Sequence, residues 1–212
     1  MGDGLRLEGV TIALGGRVLI SITHEVEPGE VLTIMGPSGS GKSTLLAYVG
    51  GFLDKAFEAS GRVSVGDVEL TAAPPEERHV GILFQDPLLF PHMSVAGNLL
   101  FAIPAALRGK SERMRLAREA LAGVELDSME SRDPDTLSGG QRARVALARV
   151  LLSSPRTLLL DEPFSKLDTD LRQQMRRLVF SKARERGLPV LLVTHDEADA
   201  QAAGGAVVRI GG

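Results

Sequence analysis

Cysteine and tryptophan are absent, and Tyr48 is the single tyrosine in a chain of 212 residues. Without cysteine there is no disulfide, no thiolate nucleophile and no sulfur-ligated metal, so stability must come from a packed core, which this length can bury. Charge of one sign is lacking too. With 24 basic and 27 acidic residues, the net charge of −3 offers nucleic acid no electrostatic hold. Long apolar runs are also missing: the least charged stretch, around Val95 to Leu107, is broken by Asn98 and Pro104 and is too short for a bilayer. The N-terminal MGDGLRLEGV has neither the basic nor the apolar region of a secretory signal. Leu5-Arg6 stands where a myristoylation site at Gly2 wants Ser or Thr. A soluble chain is expected, with any membrane link made through a partner.

What is present alternates first at period two and then at 3.6. LRLEGVTIAL and RVLISITHEV read as strands around a Gly15-Gly16 turn, and GRVSVGDVEL as a further hairpin closed by Pro74-Pro75. VLTIMG is a short apolar run that predicts a buried strand feeding a loop and the helix KSTLLAYVGGF. From Asp86 to about Pro155 helical patterns dominate, in SVAGNLLFAIPAAL, SERMRLAREALAGV and GGQRARVALARVLL. Buried strands return in TLLLDE and PVLLVTH, separated by the helix TDLRQQMRRLVFSKARERG. The expected architecture is an α/β core with antiparallel strands at the front and a helical subdomain inserted mid-chain.

Gly36–Thr44, GPSGSGKST, satisfies G-x-x-x-x-G-K-[ST] between a predicted strand and a predicted helix. Glycines let the backbone wrap phosphate, and successive N–H groups make an anion nest. Lys42 brings a point charge to the β- and γ-phosphates, and the Ser43 hydroxyl can ligate Mg2+. The strand Thr157–Leu160 delivers Asp161, a Mg2+ ligand, and Glu162, a proton acceptor for an attacking water, to the strand ends where α/β sheets bind ligands. Together these predict a nucleoside triphosphatase.

A second phosphate-ready helix start stands far downstream, at Ser138. Ser138-Gly139-Gly140-Gln141 fits a capping box, which stabilises a helix without any ligand. A cap does not need two glycines behind its serine, and glycine inside a helix costs roughly 1 kcal/mol against alanine. Close approach of something large to this backbone is the other reading.

LSGGQ at Leu137–Gln141, with GPSGSGKST, LLLDEP, SKLD at Ser165–Asp168 and VTHD at Val193–Asp196, resembles the ATP-binding cassette (ABC) family. Gln85 in LFQDPLLFP resembles that family's Q-loop, and the motifs run in family order over essentially the whole chain. The resemblance implies a P-loop NTPase (RecA-like) core with an antiparallel β subdomain and an inserted helical subdomain. Residues 1–212 would form one ABC ATPase domain, with 1–85 and 156–212 as the nucleotide-binding core and 86–155 as the helical signature subdomain. ATP and Mg2+ are the implied ligands. ATP would be held by Gly36, Pro37, Ser38, Gly39, Ser40, Gly41, Lys42, Ser43 and Thr44 of one copy. Ser138, Gly139, Gly140 and Gln141 of a second copy, placed head to tail, would contact the same ATP, so that ATP closes the pair and hydrolysis opens it. By the same resemblance Glu162 deprotonates the water and His195 orients Glu162 and the γ-phosphate. Gln85 contacts Mg2+ or the water, Ser43 and Asp161 hold the metal, and Asp168 links the two sites.

Two positions depart from the family pattern. The early strands usually carry an aromatic residue that stacks on adenine, but Leu14 stands at that position in VTIALGG. Base–aromatic stacking is worth roughly 1–3 kcal/mol, so nucleotide affinity lower by about tenfold and weaker selection of adenine are expected. Lys166 replaces a commonly small residue in SKLD and is expected to reach the dimer interface.

Leu88, Leu89, Phe90 and Phe101 flank Gln85, where the permease helix docks in transporters of this family, and FPHMSVAGNL resembles importer cassettes for small solutes. The implied partners are a second copy, an integral-membrane permease docking near Gln85 to Phe101, and an extracytoplasmic solute-binding protein reached through it. The implied location is cytoplasmic, on the inner face of the cell membrane. The competing class, soluble ABC ATPases acting on DNA or ribosomes, carries coiled-coil insertions or two cassettes, and neither is found here. RQQMRRLVFSKARERG reads as a solvated amphipathic face, so no nucleic-acid partner is expected. A plain P-loop kinase would leave the Ser138 helix unexplained.

Overall fold

Alternation over ten residues near the start of the chain produces strand β1, Leu5–Leu14, with Leu5, Leu7, Val10 and Ile12 fully buried. The inward side chains skip from Leu7 to Val10 because the pairing shifts there, a bulge that restores the inward phase with one extra residue. The computed structural model describes residues 3–211; Gly2, weighed above for lipidation, and Met1 and Gly212 lie outside the described residues. Strand β2, Arg17–Val26, returns antiparallel with Leu14 opposite Arg17. The two residues between them, Gly15 and Gly16, have φ of 55° and 78°, the positive values a type I′ hairpin requires.

β1 also pairs with β4, Phe57–Val65, which pairs with the short β5, Val68–Glu69, giving a four-stranded antiparallel sheet of order β2-β1-β4-β5. β4 begins four residues before the predicted hairpin stretch, and its first residue, Phe57, lies opposite Leu14. The second sheet has the order β6-β7-β8-β3-β9, with β3 at Val31–Met35, β6 at Val80–Leu83, β7 at Thr157–Asp161, β8 at Val190–Thr194 and β9 at Ala206–Arg209. The β3–β8, β3–β9 and β7–β8 pairs are parallel. β3 and β8 are buried along their whole length, as strands covered on both faces must be. β6, β9 and the helix α6, Glu197–Ala203, were absent from the sequence reading. β6 and β9 have four residues each, too short to show a period, and three of the four in β9 are exposed.

The chain divides into two compact units. The first holds the described residues up to Ile82, Arg156–Glu162 and those from Phe180 onward; the second holds Leu83–Pro155 and Pro163–Val179. In the first, helix α1, Lys42–Gly50, packs on β7 and β8, and α6 packs on β3 and β8. In the second, α2 (Val95–Ala102), α3 (Lys110–Ala122) and α4 (Gly139–Leu152) pack on one another. Helix α5, Thr169–Glu185, contributes residues to both units. No helix among the described residues is long and apolar enough to cross a membrane. α2 stops at Ala102 rather than Leu107, since Pro104 disfavours helical backbone at the residue before it.

Asn98, which breaks the apolar run in the sequence, is fully buried. Its Oδ1 accepts from the Phe90 N–H at 2.8 Å, and its Nδ2 lies 3.1, 3.3 and 3.2 Å from the carbonyls of Phe90, Met93 and Ser94. Replacing it leaves buried backbone groups without partners, so Asn98→Ala is expected to cost about 2–3 kcal/mol. Urea unfolding of the variant checks this; a midpoint equal to the parent's would mean that water takes over these bonds.

Candidate functional site

Gly36 follows the last residue of β3, and the chain turns through five more residues into α1. Gly41 caps the helix with φ 92°, a conformation that favours glycine, and offers no side chain to the first N–H groups of α1. Those groups and the positive end of the helix dipole face outward as an anion site. Lys42 is only 5% exposed, and its Nζ donates to the carbonyls of Gly36 and Pro37 at 2.8 Å each. An ammonium has three donors, so one remains for a phosphate oxygen. The Ser40 hydroxyl is buried within the loop, whereas Ser38, Gly39, Gly41, Lys42, Ser43 and Thr44 line an open cavity of about 430 Å3.

Across the sheet, β7 ends at Asp161, whose Oδ1 accepts from the Ser43 hydroxyl at 2.9 Å. Burial pushes the Asp161 carboxyl above its usual pKa; the Ser43 bond and Lys42 oppose that shift, and the neighbouring Glu162 adds to it. A carboxylate that loses hydration beside a hydroxyl is a fit for a hard cation, which would take both oxygens as ligands. Among the described residues no group of three or more His, Cys, Asp or Glu could hold a metal ion.

Glu162 has φ 46°, held by its N–H donating to the Val193 carbonyl at 2.9 Å. A left-handed residue directly before a proline is strained by about 1–3 kcal/mol, and such strain collects at functional positions. The turn aims the side chain at the cavity, which it lines. His195 Nδ1 lies 3.1 Å from Glu162 Oε1. The strand end bearing His195 is fixed by Thr194, whose hydroxyl donates to the buried Asp199 at 2.7 Å and accepts from the Asp196 N–H at 3.0 Å. Asp199 was not anticipated; it sits four residues past a motif histidine on a helix too short to show a pattern.

The remaining cavity wall is apolar and comes from the antiparallel sheet: Leu14, Leu19 and Phe57. Leu14 lines the cavity beside the phosphate loop, and Phe57, which enters from β4, adds an aromatic ring to the same wall.

Gln85, Ser138–Gln141 and Asp168 belong to the second unit. Both halves of the Ser138 capping box are formed: Ser138 Oγ accepts from Gln141 N at 3.2 Å, and Gln141 Oε1 accepts from Ser138 N at 3.0 Å. The N–H groups of Gly139 and Gly140 have no acceptor within their own helix. A side chain at exposed Gly139 would meet nothing within 4 Å, whereas a Cβ at buried Gly140 would come within 2.5 Å of Leu171 Cδ1. The second glycine therefore has a packing reason inside the unit. Asp168 caps α5 by accepting from the Leu171 N–H at 3.0 Å. Lys166 is paired with Asp86 in its own chain, its Nζ 2.6 and 2.7 Å from the two carboxylate oxygens, and both side chains are more than half exposed.

Gln85 is exposed and lines a groove of about 260 Å3 with Leu83, Phe84, Phe164, Met175 and Val179. Beside it Arg149 of α4 fixes the segment after Gln85, donating to the carbonyls of Leu88 and Pro87 at 2.9 and 3.2 Å and standing over the Phe90 ring at 5.5 Å. Leu88, with φ 47°, and Phe101 remain more than half exposed. Of these supports only Asn98 had a sequence signal, as a polar break; Arg149 had none.

Residues 19–165 match the profile of the ABC transporter family. The chain belongs to that family. It is 47% identical over 186 residues to the ABC transporter ATP-binding protein YnjD of Escherichia coli, covering 88% of this chain and 85% of that protein. The thiamine import ATP-binding protein ThiQ of Jannaschia sp. is 43% identical over 197 residues, or 93% of this chain and 84% of that protein. The spermidine/putrescine import ATP-binding protein PotA of Marinobacter nauticus is 42% identical over 186 residues, 88% of this chain but only 49% of its own length. Among solved structures the ATP-binding cassette MJ0796, a dimer in a post-hydrolysis state bound to ADP and Pi, superposes with a TM-score of 0.78 at 31% identity, covering 97% of this chain and 94% of that one. The fold is that of an ABC ATPase, and the chain is an ATP-binding, ATP-hydrolysing member of the ABC family.

Because burial raises the folded Asp161 pKa, ionising this group on folding takes stability away as pH rises through that raised value. Asp161→Asn cannot ionise and keeps a partner for Ser43. The nucleotide-free variant is expected to melt a few degrees above the parent at pH 7, with the gain vanishing below the ordinary aspartate range. Scanning calorimetry at both pH values checks this, and a lower Tm at pH 7 would mean that the Ser43 bond to the charged carboxylate outweighs its burial.

Proposed function

We propose that the chain is the energising subunit of a membrane importer, working as a head-to-tail pair of copies coupled to an integral-membrane permease. The observation that carries this reading is the convergence, at one phosphate loop, of a buried lysine, the Ser43–Asp161 pair and the Glu162–His195 pair. Mg2+ held by Ser43 and Asp161 would offset phosphate charge. Glu162 accepts the proton of a water attacking the γ-phosphate, and His195 holds the carboxylate in place through Nδ1. The loop from Gly36 to Thr44 binds the phosphates of one ATP. Ser138 and Gln141 of the second copy close the capping box of a helix start whose Gly139 and Gly140 N–H groups would face that γ-phosphate, with Ser138, Gly139, Gly140 and Gln141 together forming the contact, and Asp168 would link the two sites. The dimer of MJ0796 with ADP and Pi supports this arrangement.

The import assignment is supported by relatives named for thiamine and for spermidine/putrescine import. The exposed Leu88 and Phe101 beside the groove at Gln85 suit an apolar permease helix as the docked element. An extracytoplasmic solute-binding protein would deliver the cargo to the permease, and the cassette would sit on the cytoplasmic face of the membrane.

Light scattering of Glu162→Gln tests the shared site. This variant keeps the phosphate loop and removes the base. Its mass is expected to rise from 22.5 kDa to twice that only with Mg-ATP, and Ser138→Arg in the same background is expected to abolish the rise. A monomer in both conditions, with ATP binding retained, would refute pairing by this chain alone.

A further inference from the structure

The cavity at the phosphate loop has two kinds of wall. One is polar backbone and Lys42, suited to phosphate; the other is Leu14, Leu19 and Phe57, which offers phosphate nothing. An apolar wall beside an anion cradle fits a ligand with a flat apolar part and a charged tail, and about 430 Å3 is within the range of small-ligand sites. Resting on the ATP-binding reading, we propose that Phe57 is the platform on which the purine base stacks, taking over the task that Leu14 cannot perform.

Three observations converge on Phe57. Among the described residues it is the only aromatic one lining this cavity. Its ring is held, being half-buried and packed against the core cluster of Leu5, Ile12 and their neighbours, so little side-chain freedom is lost when a base lands on it. The backbone is pinned as well: Asp54 turns the chain into β4, its Oδ1 accepting from Ala56 N at 2.8 Å and its carbonyl from Phe57 N at 3.1 Å. The antiparallel register then sets Phe57 directly across from Leu14, with Cβ atoms about 5 Å apart, so a residue on β4 reaches the space beside the end of β1. Tyr48 is committed elsewhere, its hydroxyl donating to the Gly61 carbonyl at 2.8 Å.

Stacking on a π-face tolerates any base, so Phe57 supplies affinity for nucleosides in general, with purines favoured by ring area. The test uses ADP, GDP and pyrophosphate in titration calorimetry with the full chain. Phe57→Leu keeps an apolar residue of similar bulk in the core and removes the π-face. It is expected to weaken ADP and GDP by about five- to thirtyfold while leaving pyrophosphate unchanged. Phe57→Trp places a single tryptophan in a chain that has none, and its fluorescence is expected to quench on ADP and not on pyrophosphate. ADP binding equal to the parent's in Phe57→Leu, or an unquenched Trp at saturating ADP, overturns the assignment and leaves the ATPase reading intact. If the parent binds neither ADP nor pyrophosphate, the ATPase reading falls and the inference with it.

Discussion

Lys42 carries a positive charge into the protein with two carbonyl oxygens as its anchors. Burying an ammonium without a carboxylate is costly, and the surroundings of the phosphate loop answer that cost. Gly41 lets the helix begin with its N–H groups bare, the Gly36 and Pro37 carbonyls turn inward, and Asp161 waits at the end of β7 with its pKa raised by the same burial. Each group is held short of full satisfaction. Under the proposed function, an ATP with a divalent cation would complete all of them at once, so that binding would relieve desolvation built into the fold.

The Glu162–His195 pair is arranged by a different constraint. Glu162 occupies left-handed backbone before Pro163, a combination that the neighbouring strand supports through the bond to Val193. His195 directly follows that same strand, so the carbonyl that holds Glu162 and the histidine beside its carboxylate come from neighbouring residues of one stretch. Thr194 and Asp199 keep that strand end from fraying.

In the second unit local stability and the proposed function draw on the same groups. The Ser138–Gln141 box satisfies one end of α4 yet leaves two N–H groups bare, and Asp168 caps α5. Gly140 closes on Leu171 while Gly139 stays open. A cap and an anion contact are therefore not rival explanations for this stretch. The segment after Gln85 is rigid for a clear reason: Asn98 and Arg149 use up its carbonyls and keep Leu88 displayed.

Local sequence was enough to determine the two hairpin strands with their Gly15-Gly16 turn, the buried strands β3, β7 and β8, helices α3, α4 and α5, and the phosphate loop between β3 and α1. Each of these is written in a period, a cap or a turn residue that acts within a few positions. The strands β6 and β9 escaped because four residues carry no period, and their partners lie more than seventy positions away or at the chain's far end. The Ser43–Asp161 contact, the strain at Glu162, the Lys166–Asp86 pair and above all the meeting of Leu14 with Phe57 were decided by tertiary structure alone. Side chains brought together by strand register obey the pairing of whole sheets, and a bulge at one end of β1 moves what stands at the other. Chemistry that depends on a backbone turn could be read along the chain; chemistry that depends on which strand lies beside which could not.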